Sequence, residues 1–474
     1  MTNAVVVGSG PNGLSAAVTL AAAGVRVRVL EAAPLIGGGA RSGDYTGTGV
    51  LHDECSFAHP LALDNAFARS VDLNRYGLRW RSADIEYSHP LDGGGGVGAY
   101  RSASRTADEL GAAGPAWNRV FGAVSDRFAD ISTDFTKPIL HVPAHPIKLA
   151  RFGAFAAMPA AVLARLFPTE EARALFGGVV AHAFRPFGTV GSAAIGVALG
   201  SAAHTYGWAV AEGGSGAIST AMAAALVDLG GSIETGVQVR SLADLDSPDI
   251  VMLDTAPGAA ADIAGAAMPS RISRAYRRFR HGPAAFQISY AVREGIPWAD
   301  AASRSAGTVH VGGSFDDIAA AERDVHRGVM PSRPFVLVGQ QYLADPGRSN
   351  GDVHPIDLYA HVPSGWTGDA TAAIEAQIER FAPGFGSRVV AKRVRSVARI
   401  EADNQNFVGG DVVTGANTPW RLVFRPRLAL DPYFTGIDGV YLCSAATPPG
   451  AGAHGLCGFN AATSALKARA NLDA

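Results

Sequence analysis

The sequence predicts an α/β chain: a parallel nucleotide-binding sheet and a second α+β domain built on an antiparallel sheet. Three observations carry this. An apolar run, a glycine turn and an alanine-rich helix open the chain, a second glycine turn and helix close it, and between them the periodicity changes from helical to alternating.

Residues 4–7 form a short apolar run suited to a buried parallel strand. In the turn that follows, Gly8 permits the sharp bend, Gly10 lets backbone approach a pyrophosphate, and Gly13 lets the next helix pack close to the strand. Unpaired N–H groups at that helix's start, with its dipole, favour negative charge. The helix is expected over residues 13–23 and stops at Gly24; a second strand then closes on Leu30 and Glu31. Glu31 lies about twenty residues past the glycines, where a carboxylate accepts hydrogen bonds from a ribose 2′-OH and repels a 2′-phosphate. GGGARS at 37–42 is a flexible loop with a planar arginine donor, placed to be a second clamp on the same dinucleotide.

HDECSFAHP at 52–60 is rich in ligating residue types. Its histidines lack helical i,i+4 spacing and a third ligand, so no metal is expected. Residues 93–96 form a four-glycine hairpin tip, and 103–205 read as largely helical. Within these, 139–167 is apolar with Lys148, Arg151 and Arg165, suited to core, to a greasy channel or to an amphipathic helix on a membrane surface. A helix over 217–229, strands over 232–242 and 249–253, and an arginine-rich solvated helix face at 271–280 return the chain to the nucleotide domain. Strands over 283–292, 335–341, 355–362 and 393–400, with a helix over 369–381, make the antiparallel sheet of a substrate pocket, with Gln340, Gln341 and Tyr342 near the substrate. A strand over 439–447, the turn PPGAGAHGLCG and a helix over 459–470 end the chain.

At 474 residues the chain has room for two or more domains, and with 48% hydrophobic and 17% charged residues it belongs with globular proteins. A net charge of -2 and the lack of a basic aromatic stripe give no reason to expect nucleic acid. Three cysteines without a CxxC pair argue against a disulfide framework and point to a reducing cytosol. The opening strand starts close to Met1, so no secretory signal is expected, and no apolar run reaches the roughly twenty residues of a spanning helix.

With both ends read, the sequence resembles the phytoene desaturase-like flavoproteins, related to carotenoid desaturases and isomerases and more distantly to amine oxidases. The likeness rests on VVVGSGPNGLSAA with Glu31, GGGARS, GWAVAEGGSGAISTAMA with ETGVQV, NFVGGD, and YLCSAATPPGAGAHGLCGFNAA. It implies a Rossmann-like, glutathione-reductase-type FAD-binding domain over 1–85, 206–280 and 400–474, with a substrate domain over 86–205 and 281–399. FAD would be held by Gly8, Gly10, Pro11, Asn12 and Gly13 at the pyrophosphate and by Glu31 at the ribose. Gly38, Gly39, Ala40 and Arg41 would lie by the flavin and phosphates, Val239 by the adenine, and Ala446, Gly455, Leu456 and Gly458 beneath the flavin. The chemistry implied is hydride removal from a largely apolar, isoprenoid-like substrate to give a C=C bond, with oxygen, a quinone or another carrier as electron acceptor. His454 and His59 are the residues expected to move protons. An amine oxidase or dehydrogenase, with Trp208, Tyr290 and Tyr359 enclosing the amine, a redox-neutral polyene isomerase, and a flavin-binding scaffold at a membrane surface are the alternatives.

Overall fold

The computed structural model describes residues 2–138 and 140–472. Met1, Ile139, Asp473 and Ala474, which belong to the expected segments 1–85, 139–167 and 400–474, lie outside the described residues. The nucleotide-binding part is a five-stranded parallel sheet in the order Val440–Leu442, Ile250–Leu253, Asn3–Val7, Arg26–Glu31 and Ser232–Thr235. Val6 sits between Met252 on one side and Val29 on the other. The inner strands Asn3–Val7 and Ile250–Leu253 are buried on both faces, so their apolar residues run together. Strand Arg26–Glu31 instead alternates Val27 and Val29 with Arg26 and Arg28, and the edge strand Ser232–Thr235 is largely exposed. Helices Pro11–Ala22, Gly216–Asp228 and Leu456–Leu472 cover one face, and Pro257–Ala264 covers the other.

The strand expected over 232–242 stops at Thr235. Gly236, at φ 75°, turns the backbone out of the extended region, and Val237 instead donates its N–H to Glu31 O at 2.9 Å.

The second sheet has seven strands, in the order Val389–Arg395, Ala284–Arg293, Val353–Val362, Val336–Gly339, Ala306–Val311, Ile85–Pro90 and Gly96–Ala99. Every neighbouring pair is antiparallel except Ala306–Val311 with Ile85–Pro90. The strand expected over 393–400 is displaced toward the amino terminus: Val389–Arg395 is the strand and Val397–Asp403 a helix. Ser396 explains the break, because its Oγ accepts the N–H of Arg399 and caps the new helix. Helix Thr371–Phe381 covers one face of this sheet, and the helices between Ala103 and Tyr206 cover the other.

The apolar segment 139–167 is divided by environment. Phe152, Leu163 and Phe167 join the core, whereas Val142 and Ile147 are 92% and 74% exposed. Among the described residues no single helix is long and apolar enough to cross a membrane. Pro146–Ala156 and Ala160–Leu166 together have the length, but they bend by 90° between them.

Candidate functional site

The two ends of the chain meet at the carboxyl edge of the parallel sheet. Gly8, at φ 103°, turns out of the opening strand and donates its N–H to Leu30 O at 2.8 Å. A Cβ on Gly13 would stand 2.2 Å from Gly8 O, so the first helix begins hard against the turn. From the far end, Ser15 Oγ donates to Gly455 O at 2.5 Å, and a Cβ on Gly458 would lie 1.8 Å from Asn12 O. Helix Leu456–Leu472 therefore packs backbone to backbone on Pro11–Ala22.

Their beginnings open on one cavity of about 1620 Å³. Gly8, Gly10, Pro11, Asn12, Glu31, Gly38, Gly39, Ala40, Arg41, Val239 and Ala446 line it. Gly13, Gly455, Leu456 and Gly458 are not among its lining residues; they hold the two helices together behind it. Glu31 is fixed by its own chain: Oε2 accepts from the Ser9 N–H at 2.8 Å and Ser9 Oγ at 2.6 Å, and Oε1 from the Ala33 N–H at 2.8 Å. The triple-glycine loop lies on the turn, with the Gly37 N–H on Ser9 O at 3.0 Å. Arg41 donates to Ile36 O and Leu35 O at 3.2 and 3.1 Å, bracing this loop from the cavity wall. Asn12 Oδ1 and Thr255 Oγ1 are buried without a partner, and both residues line the cavity. Such orphaned atoms beside a glycine turn fit the polar groups of a dinucleotide.

One residue of this cradle was not singled out from the sequence. Asp254, just past strand Ile250–Leu253, accepts the Gly13 N–H at 2.9 Å on Oδ2. Burial, and secondarily the charge of Glu31, raises its carboxyl to about 7. Partial protonation near neutrality thus softens its opposition to an anion at the turn. Ligands bind beyond the carboxyl ends of parallel strands, and that rule applied to the strand at 249–253 was the available signal.

Each of the expected histidines makes a framework hydrogen bond. His59 is absent from the cavity lining; its Nε2 shares a 2.8 Å hydrogen bond with Ser215 Oγ. His454 lines the cavity, but its Nδ1 accepts the Leu456 N–H at 3.1 Å and so caps the closing helix. Besides His454 the cavity is lined by His141, His182 and His281. Of these, His182 is half-buried with its ring centroid 5.2 Å from that of Trp208, and its Nε2 shares a 2.9 Å hydrogen bond with His310 Nε2. Nothing in the sequence around His182 distinguishes it from a core histidine. Trp208 and Tyr359 line the same half, with Phe152, Leu199 and Leu337. Tyr290 does not; it bonds Glu375 at 2.9 Å in the core on the sheet's other face. Gln340 and Gln341 are likewise away from the cavity, Gln340 receiving Trp298 Nε1–H at 3.0 Å and Gln341 donating to Asp357 at 3.0 Å. Tyr342 stacks on His354 with ring centroids 4.2 Å apart. The expectation that these three face substrate is corrected: their polarity serves the domain framework, and the substrate half is walled mainly by apolar side chains.

Burial holds His59 and His182 at about 3, and His89, His204 and His454 at about 4, below the 6.5 of an unperturbed histidine. Between those values the unfolded chain binds more protons than the folded one. Their stabilising contribution is therefore complete above pH 6.5 and lost as pH falls towards 4, by up to about 1.4 kcal/mol per pH unit each. Asp254 and Glu86 run the other way, both raised by burial to about 7, their contributions present below 3.8 and 4.5 and lost as pH rises through about 7. Five groups outweigh two, so a thermal melt should show the transition temperature dropping between pH 6 and 4.5. A flat profile over that interval would show these rings to be solvated.

A family model described as an NAD(P)-binding Rossmann-like domain matches residues 6–67. No curated protein matches the chain by sequence. Solved structures share the whole architecture. An oxidoreductase from Methanosarcina mazei is 14% identical, with a TM-score of 0.61 over 98% of this chain and 100% of its own. A putrescine oxidase bound to putrescine is 18% identical, with a TM-score of 0.61 over 99% and 98% of the two chains. Cyclohexylamine oxidase from Brevibacterium oxydans IH-35A is 13% identical, with a TM-score of 0.59 over 99% of each. At such identities the likeness shows the fold.

Proposed function

We propose that the protein is an FAD-dependent oxidoreductase that removes hydride from a C–H bond of a largely apolar molecule, leaving a C=C bond. The observation that carries this is the single cavity, which joins a dinucleotide cradle at Glu31 and Gly10 to an apolar chamber at Phe152, Leu199, Trp208 and Leu337. Bound flavin supplies the hydride acceptor, and the rest falls to the chain. The beginning of helix Pro11–Ala22, which lines the cavity at Gly10, Pro11 and Asn12, favours the anionic parts of the cofactor through its dipole. Trp208 and its apolar neighbours exclude water from the reacting carbon. His182, neutral because burial lowers its pKa, accepts the proton lost beside the hydride, its ring oriented by the hydrogen bond of Nε2 to His310.

His182→Ala should lower turnover by about 10²–10⁴-fold at unchanged flavin content, read from reductive half-reaction rates. Turnover within twofold of wild type would remove His182 from the chemistry. The reaction class is tested by anaerobic mixing of the flavin-loaded protein with isoprenoids, fatty acyl compounds and amines. Bleaching by the first two groups supports desaturation. Bleaching by amines alone favours amine oxidation, and a polyene changed without net bleaching favours isomerisation.

Peripheral membrane contact is a second reading, favoured by Val142, Ile147 and Val190. All three are exposed on segments adjoining the cavity, which Pro143 and Val190 line. Flotation with anionic liposomes should be lost in Val142→Ser/Ile147→Ser; absence of flotation in wild type would reject this reading.

A further inference from the structure

A buried cation in the cavity wall makes no ion pair with a carboxylate among the described residues. Arg425 is 3% exposed and lines the cavity. Its Nη2 donates to Thr414 O at 3.2 Å, its Nε is buried without an acceptor, and among the described residues no carboxylate forms an ion pair with it. Asp411, whose charge reaches Arg425, spends its oxygens on the N–H groups of Gly282, Val413 and Gly415 at 2.7, 3.0 and 2.7 Å. Burying a cation without a partner is costly, and such a group is retained where a ligand completes it.

The location is specific. A Cβ on Gly450 would lie 2.3 Å from Arg425 Nη1, so the guanidinium touches the carboxy-terminal glycine turn. On its other side, Asn417, three residues past Thr414, donates to Ala183 O at 3.1 Å, next to His182. Arg425 thus lies against the carboxy-terminal glycine turn, on the wall of the same cavity that His182 and the apolar side chains line.

We propose that the substrate is an apolar molecule bearing a carboxylate, and that Arg425 is the group that binds this carboxylate. A planar guanidinium offers paired donors matched to the two oxygens of a carboxylate. It repels an ammonium, which sets this chamber against an amine substrate. The assignment deepens the proposed function and rests on it for the identity of the chamber.

The test is calorimetric binding of decanoate, decan-1-ol and decylamine to the flavin-loaded protein, with no turnover required. Decanoate should bind at least tenfold more tightly than the alcohol, and the amine more weakly than either. Arg425→Met should abolish the preference for decanoate at normal flavin content, and Arg425→Lys should restore part of it. Equal binding of decanoate and decan-1-ol by wild type overturns the proposal, and that comparison stands even if the Met variant does not fold. A Met variant that shifts the flavin potential yet keeps the decanoate preference also overturns it, because the guanidinium then serves the cofactor. Loss of the proposed redox function would appear separately, as a flavin no substrate bleaches in a protein that still selects decanoate.

Discussion

Arg348→Met should lower the unfolding free energy by about 3–5 kcal/mol, the cost of breaking a buried ion pair on one side. The Arg348 side chain is fully buried; Nη1 lies 2.5 Å from Asp53 Oδ2 and Nε 3.1 Å from Asp345 Oδ2, and Nη2 donates to Ala211 O at 2.7 Å. Asp53 in turn accepts the Ser215 N–H at 2.6 Å, and Asp345 the Gly213 N–H at 2.8 Å. The guanidinium therefore joins the segment before helix Gly216–Asp228 to the loop following strand Val336–Gly339, and so one domain to the other. Without it, two carboxylates remain in the interior with no cation. Urea titration monitored by tryptophan fluorescence measures the effect, and adding Asp53→Asn to Arg348→Met should recover part of the loss. A single variant within 1 kcal/mol of wild type would show that water reaches the cluster.

Gly458→Ala should cost about 1–3 kcal/mol and reduce bound flavin at least tenfold. The added methyl meets Asn12 O at 1.8 Å, and the atom in its way is backbone, so one helix must move off the other. Asn12 lines the cavity, and the displacement reaches the cradle directly. The flavin-to-protein absorbance ratio after gel filtration reads the outcome. A stoichiometric ratio with an unchanged melt would mean that the contact between the chain ends does not shape the site.

What the sequence made legible follows from which interactions are local. The opening strand, turn, helix and Glu31 lie within thirty-one residues and are governed by backbone geometry and periodicity, so their order and roles could be read directly. The closing turn and helix were readable for the same reason. The contact between them, four hundred residues apart, was inferred from a shared ligand, and the structure adds its means in Ser15, Gly455 and Gly458. Asp254 escaped because its role depends on which strand neighbours the opening one. His182 and Arg425 escaped because their significance is a matter of what surrounds them after folding: a second imidazole for one, no ion-paired carboxylate for the other. The polar run Gln340, Gln341 and Tyr342 misled for the converse reason, since a buried amide satisfied by its own framework looks in sequence like one waiting for a ligand.

The central claim is that the turn at Gly8, Gly10 and Gly13 and the turn before Leu456 hold one flavin dinucleotide between them. The visible spectrum of the purified, folded protein tests it most directly. Flavin absorbance near neutral pH, at about one flavin per chain and released as FAD on denaturation, is the predicted result. A folded protein that shows no flavin band and takes up none from added FAD would contradict it.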